Sequence, residues 1–257
     1  MPHHRRAVTV AMLLAGACAP STFVWDDAVP ATLQGYRAAF AEAVGTQLRG
    51  SLTREELLRE IGDGRVLWLG DHHSSSRLHA LQLELLDDLR ERGERLVLAL
   101  EAIGLQDEVH VRKYLAGELT MESLRQQLRA RWDGSWLDDR ELDPWYYRSL
   151  LAFARNHELP VVALEPTPRL PLAHRDDILE ANIRRALDDH NDRLVVVVVG
   201  QAHLVGQGDL VRRIASRGVA IGGEPPPSLR CSAPGERGSV QQCEAGLWWF
   251  AELFPDD

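Results

Sequence analysis

Lysine is almost absent from the 257-residue chain: Lys113 is the single example, and arginine supplies the remaining positive charge. The phosphate-binding loop pattern G-x-x-x-x-G-K-[ST] is therefore missing, as is the G-x-G-x-x-G pattern of dinucleotide-binding folds. The net charge is -9 at pH 7, whereas nucleic-acid binding requires concentrated positive charge. The net charge argues against nucleic acid as the main partner, and the missing patterns argue against nucleotide binding through either loop.

Cysteine is scarce as well, with only Cys18, Cys231 and Cys243 in the chain. No C-x-x-C-H pattern is present, which excludes covalently attached haem of the c type. Cys231 and Cys243 bound a short loop that contains proline and glycine, and we expect a disulfide between them in an oxidising compartment. A metal site at this pair is the less favoured alternative, because no histidine lies beside it.

The apolar stretch near the N-terminus, residues 7–14, is too short to span a bilayer. It follows two arginines and leads through small residues to Cys18, an order that looks like a bacterial lipoprotein signal. We expect a lipoprotein signal peptide over residues 1–17, acylation of Cys18 and a tether over residues 18–33. An ordinary secretory signal is the alternative. The protein is then expected in the bacterial cell envelope, anchored by lipid at the outer membrane and facing the periplasm.

Five short apolar runs alternate with amphipathic helical stretches in the rest of the chain. The runs are continuous, which is typical of strands covered on both faces. This alternation predicts an α/β fold with a mainly parallel sheet of about five strands and flanking helices. One domain is expected over residues 34–257, with a helical insertion or subdomain at about 104–158. The apolar runs lie at residues 65–70, 95–101, 159–165, 193–200 and 218–223.

Polar side chains stand where the first four of these runs end. Asp71 and His73 follow the first run, Glu101 ends the second, Glu165 ends the third and His203 follows the fourth. Ligands bind at the carboxyl ends of the strands in an open parallel sheet, so these side chains are expected to share one crevice. Glu101 is the most informative of them, because a carboxylate beside a buried strand must be paired, hydrogen-bonded or ligated.

One interpretation of this cluster is a metal-dependent hydrolase. His73, Glu101 and His203 offer the nitrogen and oxygen ligands that suit a divalent transition metal such as Zn, Mn or Fe. A metal-bound water with a carboxylate or imidazole base would hydrolyse a substrate, and Asp71 would join these three as a catalytic residue. His79 is expected at the surface or behind the crevice. A second interpretation is a binding module without catalytic activity.

Several of these segments resemble the ChaN-like haem-binding uptake family, which is similar to a wider superfamily with erythromycin esterases and the Tiki and TraB metalloproteases. The family pattern of glycine, glutamate, any residue and histidine falls on residues 70–73, and its later glycine-x-x-histidine falls on residues 200–203. Its second-strand glutamate falls on Glu101, and an arginine common in the family falls on Arg175. Asp71 replaces the usual glutamate, which shortens the carboxylate by one methylene. The segments are VLWLGDHHSSSRLHALQLELLDDL, LVLALEAI, RDDILEANI and VVVVVGQAHL.

The resemblance covers roughly residues 50–222 and implies an exported protein that binds haem or iron, often as a lipoprotein, and acts in their uptake. It implies a parallel sheet with a smaller helical domain, haem as the cofactor and small-molecule partner, and a homodimer formed on haem binding. Haem iron is ligated by tyrosine or histidine, among other residues. Tyr146 and Tyr147, in the predicted insertion, are the candidate haem-binding residues. The alternative is that these aromatic residues form the core of the insertion.

Overall fold

The computed structural model describes residues 32–131, 135–166, 170–229 and 238–254. The helices are α1 (Leu33–Val44), α2 (Arg54–Gly62), α3 (Ser76–Glu91), α4 (Glu108–Leu115), α5 (Met121–Arg131), α6 (Pro144–Asn156), α7 (Leu172–Asp189) and α8 (Leu210–Ile214). The strands are β1 (Leu48–Leu52), β2 (Val66–Asp71), β3 (Leu96–Gly104), β4 (Val161–Glu165), β5 (Leu194–Gly200), β6 (Gly218–Ile221), β7 (Val240–Cys243) and β8 (Trp248–Phe250).

One sheet contains all eight strands of the described residues, in the spatial order β1-β7-β8-β6-β2-β5-β3-β4. The β1–β7 and β7–β8 pairs are antiparallel, and the other neighbouring pairs are parallel. The five apolar runs form β2 to β6, so the predicted α/β fold with a mainly parallel sheet is confirmed. The three further strands are short and extend the sheet beyond β6.

Helices cover both faces of the sheet. Successive side chains of a strand point to opposite faces, so each strand packs against helices on both sides. Leu67 and Leu69 of β2 pack with residues of α2, α3 and α6, whereas Val66 and Trp68 pack with residues of α1, α7 and α8. Every residue of β2 and of β5 is buried. Burial on both faces explains why these strands are continuous apolar runs in the sequence.

Side-chain caps fix the starts of the helices that flank β2. The Thr53 side chain accepts a hydrogen bond from Glu56 N, and the Glu56 carboxylate accepts one from Thr53 N, which completes a capping box for α2. Ser75 caps α3 by accepting from the backbone of Leu78 at 3.4 Å. The loop after β2 is therefore tied down at its helical end, and it carries the first predicted site residues.

The helix α1 has no counterpart among the elements predicted from the sequence. It begins at Leu33, the last residue of the expected tether, and Thr32 caps it by accepting from the backbone of Gly35. Residues 1–31 lie outside the described residues, and they include the expected signal peptide and Cys18. The α1 side chains pack beside the turn that follows β5, so this helix forms a wall of the candidate site.

Three helices, α4, α5 and α6, occupy the chain between β3 and β4, where the sequence predicts a helical insertion. The last of them, α6, packs against α3 and α4 and carries Tyr146 and Tyr147. None of the helices in the described part of the chain is both long and apolar enough to cross a membrane.

Candidate functional site

Three neighbouring strands, β2, β5 and β3, bring the predicted site residues together. Asp71 is the last residue of β2 and pairs in register with Gly200, the last residue of β5. Glu101 lies within β3, and His203 ends the short helical turn that follows β5. These two side chains and Asp71 are buried, whereas the side chain of His73 is 37% exposed.

A single point in front of Gly200 is shared by three of these side chains. A methyl group added to Gly200 would lie 3.5 Å from His73 Cε1, 3.5 Å from His203 Cδ2 and 3.6 Å from Glu101 Oε2. The residues are far apart in the sequence, and the parallel strands place them at one edge of the sheet. They open onto a crevice of about 1070 Å³ that Asp71 also lines.

Asp71 holds the imidazole of His73 from behind. Its Oδ2 is 3.0 Å from Nδ1 of His73 and accepts a hydrogen bond from the Tyr147 hydroxyl at 2.7 Å. Its Oδ1 is 2.9 Å from Nε2 of His79. Burial raises the pKa of Asp71, but the hydrogen bonds from the two histidines outweigh burial and hold that pKa below its ordinary value of 3.8. Asp71 is therefore an ionised carboxylate at neutral pH.

His203 is held by a second carboxylate, Asp176 of α7. Oδ1 of Asp176 contacts Nδ1 of His203, and its Oδ2 accepts a hydrogen bond from the hydroxyl of Tyr36 in α1. Burial lowers the pKa of His203, but the charges of Glu101 and Asp176 outweigh it and raise that pKa above its ordinary value of 6.5. His203 is thus more easily protonated than a histidine in water.

Glu101 lies between the two imidazoles and is joined to Arg175. Its Oε2 accepts from the backbone of Gly200 at 2.7 Å, and its Oε1 accepts from Arg175 Nη2, which also donates to Glu165 at 2.7 Å. Burial raises the pKa of Glu101, but His203 and Arg175 outweigh it and lower that pKa below its ordinary value of 4.5. The strand-end carboxylate Glu165 therefore belongs to the same network, one layer behind the crevice.

The imidazoles of His73 and His203 are each fixed through Nδ1 by a carboxylate. A carboxylate accepts from an Nδ1–H group, and this tautomer leaves Nε2 able to accept a proton or to bind a metal. In His203, Nε2 lies 3.7 Å from Glu101 Oε1. The arrangement is suited to two kinds of chemistry, ligation of iron by a histidine and transfer of protons by a pair of histidines.

Tyr146 and Tyr147, the candidate haem-binding residues, are both buried in this structure. Tyr147 donates to Asp71, and Tyr146 donates to Gln82 Oε1. Burial raises the pKa of both phenols further above 10, and the charge of Asp71 raises it more. This packing favours the alternative that the two aromatic rings belong to the core. Ligation of iron by a phenolate would require the phenol to lose its proton, which burial and the charge of Asp71 both disfavour.

The described residues contain no group of three or more histidine, cysteine, aspartate or glutamate side chains arranged to hold a metal ion. The predicted metal ligands His73, Glu101 and His203 do surround one point. However, Arg175 already compensates the charge of Glu101. The divalent metal predicted as an alternative from the sequence is therefore not supported by the described residues.

Cys243 ends β7, is buried, and has no disulfide partner among the described residues. Its expected partner, Cys231, lies outside the described residues. The disulfide therefore stays a prediction. Mass spectrometry of non-reduced peptides would test it, because two free thiols would contradict it.

Residues 57–171 match the protein family described as haem-binding uptake, Tiki superfamily, ChaN. The matched segment contains Asp71, His73 and Glu101, and it ends before Arg175 and His203. The resemblance to the ChaN-like family predicted from the sequence is confirmed over this segment. None of the curated proteins compared with the chain matches it in sequence.

The solved structures that are similar to the chain at low identity include the following three. ChaN of Campylobacter jejuni, described with cofacial haem binding, is 11% identical with a TM-score of 0.45, over 66% of this chain and 86% of that chain. The type III effector HopBA1 is 15% identical with a TM-score of 0.46, over 80% and 96%. RRSP, a toxin effector domain from Vibrio vulnificus, is 17% identical with a TM-score of 0.43, over 88% of this chain and 44% of that one. The chain thus spans less than half of the RRSP chain.

Proposed function

Because residues 57–171 match the ChaN-like haem-binding uptake family, we propose that this protein binds haem in the crevice at the ends of β2, β5 and β3. The observation that carries the proposal is the Asp71–His73 pair. A histidine that ligates iron usually gives its second ring nitrogen to a carboxylate or carbonyl, which fixes the ring and makes it a stronger ligand. His73 has this partner at Nδ1, and its side chain is accessible from the crevice.

The crevice has the size and lining of a cofactor site. Its volume of about 1070 Å³ is slightly above the roughly 300–1,000 Å³ typical of small-molecule and cofactor pockets. Phe40 and Trp136 line it, and the Trp136 ring lies 4.5 Å from the ring of His73, centroid to centroid. Apolar walls of this kind suit the faces of a porphyrin. Arg37, exposed on α1, lies at the rim and would supply positive charge for a haem carboxylate.

Bound haem would supply an iron that can bind a nitrogen ligand. The residues of this chain would hold and orient it. His73 would supply the ligating nitrogen, and Asp71 would keep the proton of His73 on Nδ1. His203, whose pKa is raised by the charges of Glu101 and Asp176, would donate a hydrogen bond to a polar group in the crevice in its protonated form.

A titration of the purified protein with ferric haem, followed by the Soret band, tests this proposal. The wild type should give a saturable change, and His73→Gln should weaken haem binding at least about tenfold, or about 1.4 kcal/mol. His72→Gln is the matched control, because His72 lines the same crevice but is exposed and follows Asp71 directly. The absence of a saturable change in the wild type would refute haem binding, and equal affinity of His73→Gln would refute the ligand assignment.

A second candidate is hydrolysis by general acid–base catalysis without a metal. The observation that favours it is that the imidazoles of His73 and His203, each held by a carboxylate, face the same point in front of Gly200. His73 would accept the proton of an attacking water, and His203 would donate a proton to the leaving group. Hydrolysis of ester, amide or phosphodiester model substrates by the wild type should be lost in His203→Gln and should survive a chelator. Loss of activity with the chelator would instead support the metal-dependent hydrolase.

The proposed cellular role is uptake of haem or iron at the bacterial envelope, with the chain anchored through Cys18. This part rests on the sequence before residue 32. Replacement of Cys18 by serine should move the protein from the membrane fraction to the soluble periplasmic fraction. A wild type that is already soluble would contradict the anchor. Sedimentation with and without haem would test the expected homodimer, which should form only with haem.

A further inference from the structure

His79 lies behind Asp71 and is completely buried. Its Nε2 is 2.9 Å from Oδ1 of Asp71, and its Nδ1 is 2.9 Å from Oδ2 of Asp143. Its ring stacks on that of Tyr146, with centroids 3.9 Å apart and an angle of 3° between the planes. The imidazole is thus held at both nitrogens and along one face.

Both polar neighbours of the His79 ring are carboxyl groups, and an ionised carboxylate can only accept hydrogen bonds. A neutral histidine has one N–H, so it could satisfy just one of the two contacts. An imidazolium has an N–H on each nitrogen and satisfies both. A buried cation is costly unless it is paired and hydrogen-bonded, and the two aspartates provide both conditions here.

We propose that His79 is a buried imidazolium that acts as a positioning residue for His73. It engages Oδ1 of Asp71, which leaves Oδ2 to accept from Nδ1 of His73 at 3.0 Å. His73 then keeps its proton on Nδ1 and presents Nε2 to the crevice. The inference deepens the proposed function, and it rests on that function only for the role given to His73.

Asp143 connects this pair to the helical segment between β3 and β4. Its backbone N–H donates to the carbonyl oxygen of His73 at 2.7 Å, while its carboxylate faces His79. Asp143 directly precedes α6, whose Tyr147 also donates to Asp71. The start of α6 and the loop after β2 are therefore joined through the side chain and the backbone of one residue, with the His79 cation at the centre.

Nitrogen-15 NMR of the histidine rings in the wild-type protein at neutral pH tests the proposal without any substitution. We expect two protonated ring nitrogens for His79 and protonation of Nδ1 alone for His73. Signals are assigned by their disappearance in His79→Gln and His73→Gln. A single protonated nitrogen on His79, with the proton residing on Asp71 or Asp143, would overturn the proposal.

The His79→Gln variant then tests the positioning role, because glutamine keeps an N–H donor and loses the charge. The ratio of Nδ1–H to Nε2–H tautomers of His73 should fall about tenfold, which corresponds to about 1.4 kcal/mol and matches one charge-assisted hydrogen bond. The control is His157→Gln, an exposed histidine at the end of α6, which should leave the ratio unchanged. An unchanged ratio in His79→Gln would overturn the role. If that variant does not fold, Asp143→Asn replaces it, because it removes one carboxylate partner of His79 and should shift the His79 signals and lower the same ratio. Neither measurement uses haem, so a failure of haem binding is distinguished from a failure of this inference.

Discussion

Gly200→Ala should remove the function of the crevice while leaving the fold intact. Gly200 has φ -49° and ψ 130°, a conformation open to alanine, and the added methyl would meet its neighbours at ordinary contact distances of 3.5 to 3.6 Å. Replacing glycine by alanine at such a position raises the free energy of unfolding by about 0.4–1 kcal/mol, because the unfolded chain loses freedom. The methyl would, however, occupy the point that His73, His203 and Glu101 share.

Haem affinity should therefore fall at least about tenfold in Gly200→Ala, since forcing an extra methyl into a filled site costs roughly 1–3 kcal/mol. The assay pairs a haem titration with urea unfolding of the same sample. Gly50→Ala in β1 is the matched control, because a methyl there would meet nothing within 4 Å. Wild-type affinity in a well-folded Gly200→Ala would refute the placement of the ligand in front of Gly200, and a large loss of stability would refute the packing argument.

Three further predictions concern stability. Tyr147→Phe should lower the free energy of unfolding by about 1–3 kcal/mol, because Asp71 loses a buried donor; Tyr114→Phe, another buried tyrosine, is the comparison in urea unfolding. Folding lowers the pKa values of Asp71 and Glu101, so their contribution to the free energy of unfolding is present above about pH 4.5 and is lost as the pH falls through the folded-state values. The loss of stability with falling pH should therefore be less steep in Asp71→Asn than in the wild type, and an equal slope would contradict this. Folding raises the pKa of His203, so its contribution to the free energy of unfolding is complete below about pH 6.5 and is lost as the pH rises through the folded-state value. In thermal unfolding, the loss of stability with rising pH should therefore be smaller in His203→Gln than in the wild type, and an equal loss in both would contradict this.

The strand-end cluster could be predicted from the sequence because two simple rules act together there. Continuous apolar runs mark buried parallel strands, and the residues that end such strands meet at one edge. Asp71, His73, Glu101 and His203 all follow from these rules, and the structure places them around one crevice. The proximity of these four side chains follows from the order of the strands and does not depend on detailed packing.

The partners behind the cluster could not be predicted in this way. Asp176 lies on α7, next to the arginine that the family resemblance singles out, yet only the tertiary structure shows that it faces Nδ1 of His203. Tyr36 lies on α1, a helix that was not predicted because it begins at the end of the expected tether, although Tyr36, Phe40 and Val44 recur at helical spacing. His79 was expected at the surface or behind the crevice, and the structure places it behind the crevice, between Asp71 and Asp143, whose contacts the sequence does not show.

The edge of the sheet was missed for a related reason. β1 has an exposed centre, and β7 and β8 are only a few residues long, so none of them contains a continuous apolar run. Whether such short segments form strands depends more on pairing with a neighbouring strand than on the pattern of their own side chains. Tyr146 and Tyr147 show the opposite case, because their aromatic character suggested a ligand face while their contacts place them in the core.

The bond between His73 and haem iron is the central claim, and pulsed EPR of the ferric haem complex measures it directly. The protein is prepared with nitrogen-15 histidine, so that a ligating imidazole is recognised by its coupling to the iron spin. We expect a strong histidine nitrogen coupling in the wild type that disappears in His73→Gln and persists in His72→Gln. A wild-type complex without that coupling, or a coupling that survives in His73→Gln, would contradict it.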